Sequence, residues 1–147
     1  MPTQAQPGLI LNLQETSIYG ENTINIPTLN CKIIMLKIYF NPSCSKCQSA
    51  LQLLDEEGQP YEAVNYLEHP PSVGELKGLV NFLGIRPGDL VRKKEPLFLE
   101  EFNDKIFTDE EWLQLLSQHP ILIERPIIVK EGKAIIGRPV EKILDIL

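Results

Sequence analysis

The chain has 147 residues and a mass of 16.7 kDa, with 43% hydrophobic and 23% charged residues, the proportions of an ordinary globular domain. Fibrous, collagen-like and wholly disordered chains are ruled out, and a globule of this length buries roughly two-thirds of its unfolded surface without disulfide staples or a structural metal. With 14 Lys+Arg against 20 Asp+Glu the net charge is −6, and no basic run is long enough to follow a phosphate backbone, so no nucleic-acid partner is expected.

No apolar stretch approaches the ~20 residues that span a bilayer, and the N-terminus lacks the basic start and apolar core of a secretory signal. A cytoplasmic protein with no membrane partner is therefore expected. Three cysteines are too few for a disulfide framework, and two of them, Cys44 and Cys47, form a single Cys-x-x-Cys. That spacing points to chemistry rather than stapling.

Residues 1–34 carry only Glu15, Glu21 and Lys32 as charges and sustain no period of 2 or 3.6, which reads as a loosely ordered extension holding an incidental Cys31. Met35 then opens a dense, well-punctuated pattern, so the true start is open, and an extra strand around Gly8 to Leu13 is an alternative reading. Residues 35–147 form the domain. Leu36, Ile38 and Phe40 make a short β-rich run that ends at Asn41-Pro42. Cys47, Leu51 and Leu54 follow at helical spacing, Gly58 closes the helix, and Tyr61 to Tyr66 is a second strand. Right-handed crossover makes these two strands parallel neighbours.

Pro70-Pro71 ends that unit. Ser72 with Glu75 three residues on is a capping-box signature ahead of Val73, Leu76, Val80 and Leu83, and Thr108 with Glu111 repeats it ahead of Trp112, Leu115 and Leu116. Pro87 to Phe107 lies between the two helices as a partly helical insert that holds Arg92. After His119-Pro120, the runs 127–129 and 134–136 flank Glu131-Gly132 as a β-hairpin, and Pro139 starts a last helix with Val140, Ile143, Leu144 and Leu147 on one face. This element order is that of an α/β thioredoxin-like fold with a mixed four-stranded sheet and a helical insert.

Cys44 falls where a strand gives way to a helix, so the first helical N–H groups and the positive end of the helix dipole face its sulfur and favour thiolate. Cys47 lies one turn on, on the same face and within reach for a disulfide, while Lys46 adds a positive charge. Two small buried hydrophobes, or half of a zinc site, are the blander readings; zinc needs four ligands, and no second Cys-x-x-Cys or His pair completes a set, so no metal is expected. Asp109 to Glu111 read as a solvated first helical turn, Trp112 as core, His69 as a loop residue and His119 as structural.

The segment Lys37-Ile-Tyr-Phe-Asn-Pro-Ser-Cys44-Ser-Lys-Cys47 resembles the opening of the ArsC arsenate reductases that use glutathione and glutaredoxin. Tyr66-Leu-Glu-His-Pro-Pro71, Leu90-Val-Arg92-Lys, His119-Pro-Ile-Leu-Ile-Glu-Arg125-Pro-Ile-Ile-Val129 and Gly132-Lys-Ala-Ile-Ile-Gly-Arg138-Pro139 follow in that family's order, the last two most like its YfgD branch. The resemblance covers about Met35 to Leu147. It implies a nucleophilic Cys44, an oxyanion pocket made by Arg92, Arg125 and Arg138, a cis Pro126 facing the cysteine, and Asn41 as a structural residue of the cysteine loop. Elementary electrostatics agrees, because an anion held beside a thiolate needs planar, permanently charged donors, and the chain has only four arginines.

The resemblance further implies an oxidoreductase that converts arsenate to arsenite, holds no resident cofactor, uses glutathione as co-substrate with glutaredoxin (or thioredoxin) as protein partner, and acts as a monomer. Two residues depart from the family pattern: Phe40 stands where His is frequent, and Cys47 where Ser or Thr is usual. Cys47 opens an internal-disulfide route. A redox-sensing regulator of RNA polymerase, like the related Spx proteins, and a general thiol-disulfide oxidoreductase are the competing functions; the complete arginine set and Gly137-Arg138-Pro139 favour the reductase.

Overall fold

The computed structural model describes residues 35–147; the expectations for the extension, for Cys31 and for a strand at 8–13 lie outside the described residues. Strand β1 (Leu36–Phe40) leads into helix α1 (Ser45–Glu56), strand β2 (Tyr61–Asn65) and helix α2 (Val73–Leu83). The insert follows as a 3-10 turn (Pro87–Leu90), the short helix α3 (Pro96–Glu101) and helix α4 (Asp109–Gln118). A second 3-10 turn (Pro120–Leu122) precedes strands β3 (Ile127–Lys130) and β4 (Lys133–Ile136), and a 3-10 segment (Val140–Asp145) ends the fold.

The four strands form one sheet in the order β2-β1-β3-β4, with β1 parallel to β2, and β3 antiparallel to both β1 and β4. This is the thioredoxin-like arrangement read from the element order. Alternation along the strands divides the core in two. Leu36, Ile38 and Ile128 face α1 and the C-terminal segment, where Ala50, Leu54 and Ile143 are fully buried. Tyr39, Ile127 and Ala134 face α2 and α4, against Leu76, Leu79, Val80, Leu113 and Leu116. Both faces of the sheet are thus covered by apolar side chains, which is what drives the strands and helices together.

Local chemistry sets the boundaries. Ser72 accepts from the Glu75 N–H over 3.1 Å while the Glu75 carboxylate accepts from the Ser72 N–H over 3.0 Å, a complete capping box, and Thr108 and Glu111 build the same pair. Gly84 ends α2 in the left-handed region at φ +70°, with the Ile85 N–H returning to the Val80 carbonyl. The β3–β4 turn places Glu131 and Gly132 at φ +50° and +78°, the backbone that a two-residue hairpin requires. Among the described residues no helix is long and apolar enough to cross a membrane.

Two expectations are corrected in detail. The second strand stops at Asn65, because its Oδ1 accepts from the Leu67 N–H and its carbonyl from the Glu68 N–H, turning the chain and leaving Tyr66 buried beyond the strand. The insert is partly helical, as expected, in its two short pieces. The last element is 3-10 rather than α: a three-residue repeat puts Val140, Ile143 and Ile146 on the α1-facing core and leaves Leu144 48% exposed.

Candidate active site

Asn41 organises the turn between β1 and α1. Its Oδ1 accepts from the Ser43 N–H over 2.9 Å, its carbonyl accepts from the Cys44 N–H over 3.0 Å, and its own N–H donates to the Cys47 Sγ over 3.4 Å. The Gln48 side chain closes the loop on the Pro42 carbonyl over 2.8 Å. This fixes Cys44 as the residue that caps α1, with extended backbone and its carbonyl already accepting the first helical bond from the Gln48 N–H. No side-chain oxygen caps the helix here, so the free N–H groups of the first turn face the Cys44 sulfur.

The two thiols are driven apart in acidity. Partial burial works against ionisation of Cys44, but the N–H groups of Cys47 and Lys46, the Arg125 guanidinium and the Cys47 thiol outweigh it and hold the Cys44 thiol down to about 7. Burial pushes the Cys47 thiol up to about 11, helped by the neighbouring Cys44 charge. Near neutrality, therefore, Cys44 is a partly exposed thiol close to its titration point and Cys47 a buried neutral thiol beside it.

Two arginines reach the sulfur from the far half of the chain. Arg138 donates from Nη2 to the Cys44 Sγ over 3.6 Å and from Nε to the Arg125 carbonyl over 2.7 Å, so one guanidinium ties the cysteine to the segment before β3. Arg125 is 9% exposed, and its Nε and Nη1 are buried with no acceptor among the described residues. A guanidinium is a planar, permanently charged donor, and its N–H groups are of the kind that suit an anion. Gly137 allows the approach: a Cβ there would lie 3.2 Å from the Pro126 ring and 3.1 Å from Ile128. The Arg125–Pro126 bond is cis, as expected, and so is Arg138–Pro139, which was not.

Arg92 arrives by a different route. Val91 bridges Ile123, the Arg92 N–H donates to the Leu122 carbonyl over 2.7 Å and the Glu124 N–H to the Leu90 carbonyl over 2.9 Å, which stitches the insert alongside the Arg125 segment. Arg92 and Arg138 then line one cleft of about 390 Å³ together with Lys93, Lys94, Glu95 and Glu124. The Arg92 guanidinium is engaged by the Glu95 carboxylate three residues on. Of the three arginines singled out in the sequence, Arg138 contacts the Cys44 sulfur, Arg125 acts on its acidity, and Arg92 lines the cleft with Arg138, engaged by Glu95.

Three site residues escaped the sequence reading. Tyr66, 1% exposed, donates to the Ile123 carbonyl over 3.5 Å, and burial pushes its phenol up to about 12 against the opposing pull of Arg125; its only sequence signal was membership of the Tyr66 to Pro71 block. Glu95 was legible as an Arg-x-x-Glu spacing, and Glu124 as the neighbour of Arg125. The remaining residues match their bland readings. Arg86, the fourth arginine, is an exposed partner of Asp109 at 2.9 Å, Trp112 stacks on Phe98, His119 packs on Phe102, and His69 is exposed. Phe40 joins the apolar cluster under α1 rather than polarising the cysteine loop. Among the described residues no cluster of three or more His, Cys, Asp or Glu is placed to hold a metal.

A family model described as the ArsC family matches residues 39–146. An arsenate reductase of Neisseria meningitidis serogroup B is 42% identical over 114 residues, which span 76% of this chain and 97% of that protein. The uncharacterized protein YfgD of Escherichia coli K12 is 43% identical over 114 residues, spanning 76% of this chain and 96% of that one. Among solved structures, arsenate reductase from Vibrio cholerae superposes with a TM-score of 0.75 at 41% identity, covering 79% of this chain and all of the other. With a family match running from inside β1 to the penultimate residue, and relatives aligned over nearly their whole length, the chain belongs to the ArsC family.

Proposed function

We propose that the protein is an arsenate reductase in which Cys44 is the nucleophile and glutathione, backed by glutaredoxin, supplies the electrons. The observation that carries this reading is the pair of guanidinium groups that bear on Cys44: Arg138 at 3.6 Å from its sulfur, and Arg125 with two buried N–H groups that have no acceptor among the described residues. Such donors neutralise the repulsion between thiolate and oxyanion and stabilise the charge that develops as the sulfur attacks.

In the first step the Cys44 thiolate bonds to arsenic and a hydroxide leaves, protonated to water, under Arg125, Arg138 and Arg92. A glutathione thiolate then attacks the Cys44 sulfur. The electron pair of the sulfur–arsenic bond passes to arsenic, which departs as arsenite, and a mixed disulfide remains on Cys44 for glutaredoxin to reduce. Asn41 and Pro126 shape the loop and the opposite wall, and none of these steps calls for a resident cofactor or metal. The expected setting is a monomer in the cytoplasm.

The buried Cys47 thiol beside Cys44 favours a second route. In it Cys47 loses its proton and attacks the Cys44 adduct, arsenite leaves, and the Cys44–Cys47 disulfide is reduced by thioredoxin or glutaredoxin. The deciding experiment is arsenate-dependent NADPH oxidation, coupled once to glutathione, glutaredoxin and glutathione reductase and once to thioredoxin and its reductase. Activity in the first system supports the main route. Silence in both, with capture of the RNA polymerase α subunit, would replace the enzyme with a regulator.

A further inference from the structure

The cleft that Arg138 lines, while its guanidinium also reaches Cys44, is not uniformly basic. Arg92, Lys93, Lys94 and Arg138 line it, and so do two carboxylates, Glu95 and Glu124. Glu95 is committed there: it precedes α3 without capping it, and its carboxylate instead engages Arg92, the two side chains being 20% and 23% exposed. A carboxylate inside an anion site opposes every anion unless the ligand brings a proton to donate. Arsenate and phosphate keep at least one protonated oxygen near neutral pH, whereas sulfate keeps none.

A protonated ligand oxygen meeting Glu95 forms a short, charge-assisted O–H···O⁻ bond while the other oxygens take the guanidinium N–H groups. Sulfate has to set an unprotonated oxygen against the same carboxylate, in a half-buried site where unmatched polar groups weigh heavily. Arg92 fixes the position of the acid and is shared between it and the ligand. We propose that Glu95 is the specificity-determining residue of this cleft, accepting a hydrogen bond from a protonated ligand oxygen and so admitting arsenate and phosphate while rejecting sulfate. The idea rests on reading the cleft as an oxyanion site and adds which oxyanions it takes.

The test is calorimetric binding of inorganic phosphate and of sulfate to the full chain at fixed ionic strength, for wild type, Glu95→Gln and Glu124→Gln, with circular dichroism to show that the variants fold. The expected wild-type preference for phosphate is at least ~10-fold, the weight of one hydrogen bond to a charged group. Glu95→Gln, whose amide can donate to sulfate, should bring that ratio close to one. Wild type binding both anions alike, an unchanged ratio in Glu95→Gln, or a ratio lost in Glu124→Gln instead would each overturn the assignment, and the wild-type ratio decides even if Glu95→Gln does not fold. Arsenate reduction inhibited equally by sulfate and phosphate would remove the role of Glu95 alone. Binding of neither anion, with no arsenate reduction, would remove the proposed function as well.

Discussion

Arg125→Ala tests how the nucleophile is held. The Cys44 thiol stands at about 7 against an ordinary 9.0, and the Arg125 guanidinium is the largest side-chain contributor to that lowering, after the N–H of Cys47 at the start of α1. A hydrogen bond to a charged group contributes roughly 1.5–3 kcal/mol, and solvent at the half-exposed sulfur pulls this to the lower end. Its loss should raise the thiol by about one unit, at roughly 1.4 kcal/mol per unit. At pH 7 the thiolate would drop from about half of the molecules to about a tenth, a roughly fivefold slower alkylation.

The assay is the rate of iodoacetamide labelling of Cys44 across pH, read by mass spectrometry of its peptide, with circular dichroism to confirm the fold. Cys47 is 0% exposed and stays protonated, so it does not confuse the readout. Rates for the two proteins should converge at high pH. A variant midpoint still near 7 would refute the reasoning and leave the helix N–H groups, the Cys47 thiol and Arg138 to hold the thiolate.

Replacing Cys47 by Ser should leave turnover with glutathione and glutaredoxin unchanged; loss of turnover with trapped Cys44 adduct would establish the internal disulfide instead. The same variant should alter alkaline stability. Because the fold pushes Cys47 to about 11 from 9.0, the unfolded chain releases that proton first, and stability falls as pH rises from about 9 towards 11, a slope that denaturant titrations should find flattened in Cys47→Ser. Cys44 has the opposite sign, its contribution being present above 9.0 and lost as pH falls through about 7. Gly137→Ala forces a Cβ to within 3.1–3.2 Å of Ile128, Ile143 and Pro126, so thermal melts should show a loss of about 1–3 kcal/mol, with weakened arsenate turnover as Arg138 shifts. Thr108→Ala should cost about 1 kcal/mol by removing the cap of α4.

The parts of the fold written in the sequence are those fixed by local chemistry. The capping boxes at Ser72 and Thr108, the turn at Glu131-Gly132 and the β1 run before Asn41 all form where short-range patterns place them. The C-terminal segment misled because Val140, Ile143, Leu144 and Leu147 satisfy an α-helical period, while burial selects the three-residue repeat through Ile146. At the site, Cys44 was legible from the strand-to-helix junction and the cysteine spacing, and Asn41 from the block that resembles the family. The arginines came into view through the blocks around them, since nothing in a lone arginine says which of four will leave the surface; Arg86 stayed there and Arg125 did not. Tyr66 and Glu95 act through contacts that close only when distant or looped segments meet, and the cis geometry at Arg138–Pro139 looks in sequence like any other X-Pro pair.

The most direct measurement is arsenite formed from arsenate by the purified chain, quantified beside Cys44→Ser and Arg138→Ala with the glutathione and glutaredoxin system present. The predicted result is steady arsenite production by wild type, none by Cys44→Ser, and a loss of ~100-fold or more in Arg138→Ala, the usual penalty for removing one donor to a developing oxyanion. Arsenite production that survives intact without the Cys44 sulfur, or a wild-type protein that makes none, would contradict it.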